Sequence, residues 1–251
     1  MKSFLLYLLL LLSSCATERP GAPSYRIARD PEWFPVDLGG SQQRVTAFSD
    51  DLTRAIGKRA GFSVLLLQTT LESIPSNFRI GRIDAALTAI YPTPEARSLY
   101  DFSDPYLFIG PVLVVPGASP VDSLEGMRGK IVGAAAGTVA MVLIAKAEGI
   151  VIRDYINIAK GLEDLATGAI DGVVMPALLA YAYIRDFYSG RLKVATPPLT
   201  DEGLRLIVKK GENRQLIDSF NSELKSFVDE GGYDALQSKW GLDLNEGPYP
   251  F

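Results

Sequence analysis

The stretch NFRIGRIDAALTAI (residues 77–90) is answered later in the chain by EDLATGAIDGVVMPAL (residues 163–178). Both run from the end of a helix through a glycine, one further residue and Ile-Asp into a small, apolar strand, so Gly81-Arg82-Ile83-Asp84 mirrors Gly168-Ala169-Ile170-Asp171. In each, the glycine suits a left-handed helix stop, and the unbroken apolar strand after it reads as buried. Chance similarity between two common helix-to-strand turns is the alternative reading; the matched spacing favours two lobes built on one plan.

Working outward, YRIARD (residues 25–30) reads as a strand running into a loop. FSDDLTRAIGKRAGF (48–62) puts Leu52 and Ile56 at helical spacing and stops near Gly61, and SVLLLQ (63–68) reads as a buried strand. That is a β-α-β unit. GKIVGAAAGTVAMVLIAKAEG (129–149) runs from a strand through Gly137-Thr138 into a helix. Free backbone N–H groups at that helix start suit an anionic group; a tight turn with a threonine cap is the other reading. The glycine-flanked apolar strands GPVLVVPG (110–117) and DEGLRLIVKKG (201–211) then read as two crossings between lobes. Paired crossings form a hinge, and a hinge gives a closing cleft.

Composition narrows the class. With 25 Lys+Arg against 29 Asp+Glu and no basic run, the chain lacks the electrostatic footprint of a nucleic-acid binder. It has no histidine and one cysteine, which removes His-based acid/base chemistry, Ser-His and Cys-His pairs and the usual zinc sites. The amino terminus carries a short basic start, an apolar run from Phe4 to Leu12, then LSSC ending at Cys15. It reads as a signal peptide, far shorter than the roughly 20 residues that span a bilayer. LSSC resembles the bacterial lipoprotein cleavage box, which implies lipidation at Cys15; an ordinary secretory signal with an incidental thiol is the alternative. The expected partition is a signal peptide (1–14), a lipidated tether (15–24), lobe one (25–110), lobe two (111–204) and a return to lobe one (205–251).

SLEGMRGKIVGAAAGT, GRIDAALTA followed by TPEARSLYDFSDPY, TDEGLRLIVKKG and the tail LIDSFNSELKSFVDEGGYDALQSKWG occur in the order and spacing of a known family. From about Tyr25 to Leu244 the chain resembles the bacterial extracellular solute-binding proteins of family 3, which deliver amino acids to ATP-binding-cassette importers. The resemblance implies an α/β, two-lobed periplasmic-binding-protein fold of type II, each lobe a mainly parallel sheet flanked by helices, with two hinge crossings. It further implies an amino-acid-like ligand held between the lobes, no metal and no cofactor, importer permease subunits as partners, and a monomer at the periplasmic or cell-surface face of a bacterial membrane.

Carried over residue by residue, the family's pocket gives a mixed result. DPEW supplies an aspartate, Asp30, and a stacking aromatic, Trp33; the alternatives are a loop cap and a packing residue. Leu71 matches an apolar second wall, and Thr88 is counted with the pocket. The family's hydroxyl donor falls on Tyr91, its preceding Gly or Ser on Ala89, and its carboxylate-binding arginine on Ala96. In lobe two the next donor after Gly137-Thr138 falls on Val139, and the ammonium-binding aspartate falls on Pro176, beside Met175. Four clamp positions have lost their usual chemistry.

An arginine does follow, one residue late. In TPEAR, Thr93 reads as N-cap and Pro94 as the first helical residue, so Ala96 is third and Arg97 fourth. One step rotates a side chain by about 100° on a helix. Arg97 therefore either reaches a ligand through a shifted helix start or pairs with Asp101 one turn on. Truncating Trp33 is expected to cost more binding than truncating Arg97. Two other function classes stay open beside the importer component: a lyase of the cyclohexadienyl-dehydratase type using Asp30, Glu72 or Glu95 with a raised pKa, and a ligand-free partner-binding module.

Overall fold

The computed structural model of the protein describes residues 21–33, 36 and 38–242. The signal peptide, Cys15 and the first part of the tether lie outside the described residues.

The first β-α-β unit is β1 (Ser24–Arg29), α1 (Gln42–Ala60) and β2 (Ser63–Gln68). It continues through α2 (Ile74–Arg79), β3 (Ala85–Thr88), α3 (Pro94–Leu99), β4 (Tyr100–Phe102) and β5 (Leu107–Phe108). Next come β6 (Pro111–Pro116), β7 (Ile131–Ala135), α4 (Val139–Lys146), β8 (Val151–Tyr155), α5 (Ile158–Ala166), β9 (Gly172–Pro176), α6 (Ala177–Tyr183) and β10 (Leu192–Val194). The chain returns through β11 (Gly203–Lys209), α7 (Arg214–Asp229) and α8 (Gly232–Trp240).

Two sheets result. The first has the order β2-β1-β3-β11-β4, with β5 also on β11; the second runs β10-β6-β9-β7-β8. In the first, β1 is parallel to β2 and β3, and β11 is antiparallel to β3. In the second, β7 is parallel to β8 and β9, and β6 is antiparallel to β9. The series β2-β1-β3-β11 thus recurs as β8-β7-β9-β6.

The paired Gly-x-Ile-Asp segments do the same job in both sheets. Gly81 (φ +65°) and Gly168 (φ +78°) take the left-handed conformation, and their amides donate to Phe78 O and Leu165 O at 3.1 Å each. Ile83 and Ile170 are buried. The aspartates then enter the sheet identically. Asp84 Oδ2 accepts from Arg26 N at 2.8 Å and Asp171 Oδ2 from Ile131 N at 2.9 Å, while the aspartate amides donate to Arg26 O and Ile131 O at 2.8 and 2.9 Å. Each carboxylate satisfies an amide at the start of the neighbouring strand, which fixes the register of β3 on β1 and of β9 on β7. The Arg26 guanidinium, hydrogen-bonded to Asp84, also holds that carboxyl below the ordinary carboxylate range.

Helices cover both faces of each sheet. On one side of the first, Phe48, Leu52 and Ile56 of α1 pack with Phe220 of α7 and Tyr233 of α8; on the other, Phe78, Tyr100 and Ile207 cluster. In the second, alternate residues of β9 serve opposite faces, Val173 and Met175 with Leu162 and Leu165 of α5, and Val174 with Ile144 of α4. β3 is buried throughout, as its composition implies. β2 is not: it is the edge of its sheet, and Leu65 is 54% exposed. An edge strand lacks the flanking neighbour that would enclose it, so an apolar run alone does not make it central.

Candidate functional site

A cleft of about 1270 Å³ lies where segments from both sheets converge. Its walls follow the carboxyl ends of the parallel strands. Leu71 comes after β2, Ala89 and Tyr91 after β3, Thr138 after β7, Ile156 after β8, and Pro176 ends β9. Chain segments leaving that end of an α/β sheet are free to shape a ligand crevice.

The crossings form the floor. Ile109 N and Gly110 N donate to Glu202 O at 3.0 and 3.3 Å, and Leu199 N donates to Pro111 O at 2.7 Å, so the two passages are tied side by side. Gly110 is needed here: a Cβ at this position would stand 2.4 Å from Thr200 Oγ1. Ile109, Pro111, Glu202 and Gly203 all line the cleft.

Several expected residues meet in this cleft. Leu71, Ala89 and Tyr91 come from the first sheet's side, and Thr138, Val139, Met175 and Pro176 from the second's. The Tyr91 hydroxyl donates to Asp201, whose carboxylate raises the phenol's pKa. Thr138 Oγ1 donates to Ala135 O at 2.7 Å and caps no amide, so it leaves the first turn of α4 uncapped by a side chain. Gly137 (φ +74°) permits this turn but does not itself line the cleft. Thr88 is buried behind the wall, where its Oγ1 accepts from Ile90 N at 3.1 Å.

Three placements correct the expectation. Asp30 is engaged by backbone, accepting from Glu32 N at 2.9 Å and Leu71 N at 3.1 Å; it fastens the loop that presents Leu71 rather than lining the cleft. Trp33 is only 1% exposed, sits in the core beneath α1, and donates from Nε1 to Thr46 Oγ1 at 2.9 Å. Its φ of +58° turns the chain so that the indole points inward. Arg97 also turns away. Thr93 accepts from Ala96 N at 3.2 Å with Pro94 following, so the helix start is unshifted and Ala96 takes the cleft-facing position. Arg97 Nε donates to Pro92 O at 2.9 Å, its guanidinium lies 5.8 Å from the Phe102 ring centre, and it lines a separate cavity with Arg205. Nor does it pair with Asp101, which accepts from Lys210 Nζ at 2.6 Å and Gly211 N at 2.8 Å.

Glu202 went unread in the sequence, where DEGLRLIVKKG registered only as a crossing. It is the one charged residue among the described lining, and no described residue hydrogen-bonds or ion-pairs with its carboxylate. The dehydratase-type candidates Asp30, Glu72 and Glu95 do not line the cleft. Glu95 carries a lowered pKa, not a raised one, because its own amide and the Thr93 hydroxyl stabilise the carboxylate. Among the described residues, no group of three or more His, Cys, Asp or Glu is placed to hold a metal, and no helix is long and apolar enough to cross a membrane.

Known proteins share this arrangement. The arginine-binding extracellular protein ArtP of Bacillus subtilis (strain 168) is 23% identical over 238 residues, covering 91% of this chain and 92% of the relative. The L-cystine-binding protein TcyJ of Escherichia coli (strain K12) is 24% identical over 216 residues, 84% of this chain and 80% of its own. Among solved structures, the unliganded, open L-cystine solute receptor of Neisseria gonorrhoeae superposes with a TM-score of 0.67 at 20% identity, covering 88% of this chain and 94% of that one. An ancestral cyclohexadienyl dehydratase reaches the same TM-score at 23% identity, covering 86% and 92%. These likenesses establish the two-lobed, type II periplasmic-binding-protein fold. Residues 25–243 match the description "Bacterial extracellular solute-binding proteins, family 3", and the chain belongs to that family.

Proposed function

We propose that the protein is the lipid-anchored substrate-binding component of an ATP-binding-cassette importer, capturing a small amino-acid-like solute by closing its cleft. The carrying observation is the cleft itself: segments that follow the strand ends of two sheets of one topology line a common space of about 1270 Å³, and the paired crossings at Ile109–Gly110 and Glu202 join the two sheets. Relatives spanning most of the chain are described as arginine-binding and L-cystine-binding, which supports a ligand of amino-acid class. The rim supports closure. Ile156 lines the cleft yet is fully solvent-exposed, and Val139 across from the first sheet's wall is 43% exposed. Apolar area withdrawn from water stabilises by about 25 cal/mol per Å², so a closed state that covers these side chains gains from it.

Mass spectrometry of whatever small molecule copurifies with the protein, followed by X-ray scattering with and without it, tests this. The ligand-loaded protein is expected to have the smaller radius of gyration. An unchanged profile at saturating ligand would count against a closing cleft.

In this reading the body lies outside the cytoplasmic membrane, which the family's description as extracellular supports, and Cys15 after LSSC supplies the anchor. Permease subunits are the partners, and the protein acts as a monomer. Cys15→Ser is expected to abolish metabolic labelling with palmitate; labelling that persists in that variant would refute anchoring through this residue.

A further inference from the structure

We propose that the cleft takes an apolar organic cation, a primary amine without a carboxylate, whose ammonium group pairs with Glu202. This deepens the solute-binding reading above and rests on it.

A free amino acid needs a cation for its carboxylate, and the described lining has none: no lysine or arginine faces the cleft. The nearest arginine in sequence is held elsewhere, by Pro92 O and the Phe102 ring. The lobe-two position where the family's aspartate falls is Pro176, whose backbone is paired with Pro111 in the sheet. Among the described residues, the charge of the cleft therefore comes from Glu202 alone. Its backbone is fixed, since its carbonyl accepts from both Ile109 N and Gly110 N, while the residue is half-buried and no described residue hydrogen-bonds or ion-pairs with its carboxylate.

A carboxylate on the cleft wall with no counter-ion among the described residues leaves an ammonium group a partner for charge pairing. A second carboxylate brought in with the ligand would meet Glu202 and find no guanidinium to offset it. The other polar groups fit this reading. The Tyr91 hydroxyl is committed to Asp201, which leaves its ring, and that of Tyr183, as faces for a cation or an apolar body. The first turn of α4 offers amides to an acceptor but no guanidinium stands beside them, and the remaining walls at Leu71, Ile109, Val139 and Met175 are apolar.

Calorimetry on the detergent-solubilised full chain with four matched probes tests this: 2-phenylethylamine, phenylalanine, 3-phenylpropanoate and 2-phenylethanol. The amine is expected to bind most tightly. Glu202→Gln should weaken amine binding about tenfold or more, leave 2-phenylethanol unaffected, and retain the parent's circular dichroism and melting temperature. Tighter binding of phenylalanine or 3-phenylpropanoate than of the amine, or an undiminished amine affinity in the glutamine variant, overturns the proposal. If none of the four binds and the copurifying solute carries no cationic group, the proposal falls and the solute-binding reading stands. If neither the probes nor any copurifying solute binds, both fall.

Discussion

Trp33→Ala is expected to destabilise the whole protein by about 3–5 kcal/mol, as removal of a buried large aromatic does. The indole is 1% exposed among residues of α1 and the C-terminal helices, so its removal leaves a void between segments far apart in sequence. It also leaves the Thr46 hydroxyl without its indole donor. A chain of this size shifts its melting temperature by roughly 2–4 °C per kcal/mol, so a fall of about 10 °C is the expected reading. Trp33→Phe, which keeps a ring in place, should recover most of that loss. Melting curves of the two variants, with and without ligand, decide the matter. If Trp33→Ala melts within a degree or two of the parent and instead loses ligand affinity, the indole serves the cleft and its place in the core is wrong.

Asp50→Ala should cost a comparable about 3–5 kcal/mol, by leaving a buried charge unpaired. Arg29 ends β1 and Asp50 lies on α1; their side chains are 10% and 14% exposed, and Arg29 Nη2 donates to Asp50 Oδ2 at 2.7 Å. Arg29 Nη1 is buried with no hydrogen-bond partner, so this guanidinium already depends on one carboxylate. Removing that carboxylate strands a charge beneath the helix. The double variant Arg29→Met with Asp50→Leu should recover much of the loss, because replacing both partners by apolar side chains removes the desolvation penalty along with the attraction. Urea denaturation of the single and double variants provides the check. A cost below about 1 kcal/mol for Asp50→Ala would place this pair with solvent-screened surface contacts.

The parts of the fold legible in the sequence are those whose chemistry is local. The two Gly-x-Ile-Asp segments signalled a repeated helix-to-strand turn because a left-handed glycine and a strand of small apolar residues impose themselves within a few residues. The structure adds that both aspartates tie down the neighbouring strand. Thr93 and Pro94 announced a helix start for the same reason, and the observed cap keeps to it. The glycine-flanked crossings were legible as strands, and the wall residues that follow strand ends, such as Ala89, Val139 and Pro176, were reached by counting from those turns.

What the sequence by itself determined, then, was the two-lobed α/β plan and the ends of its strands, since backbone conformation and periodic burial are written in neighbouring residues. Tertiary structure alone decided which side chains face the cleft. An indole reads the same whether it stacks on a ligand or fills a core, and only the packing of α1 and the C-terminal helices encloses Trp33. The direction of Arg97 depends on a carbonyl and a ring that the fold brings to it, at Pro92 and Phe102. Glu202 stands over a hundred residues from Leu71 and Tyr91 in the chain, and it becomes part of their site only because the second crossing returns beside the first. Convergence of that kind is a property of the packed chain, because the distance between two side chains is set by every element folded between them.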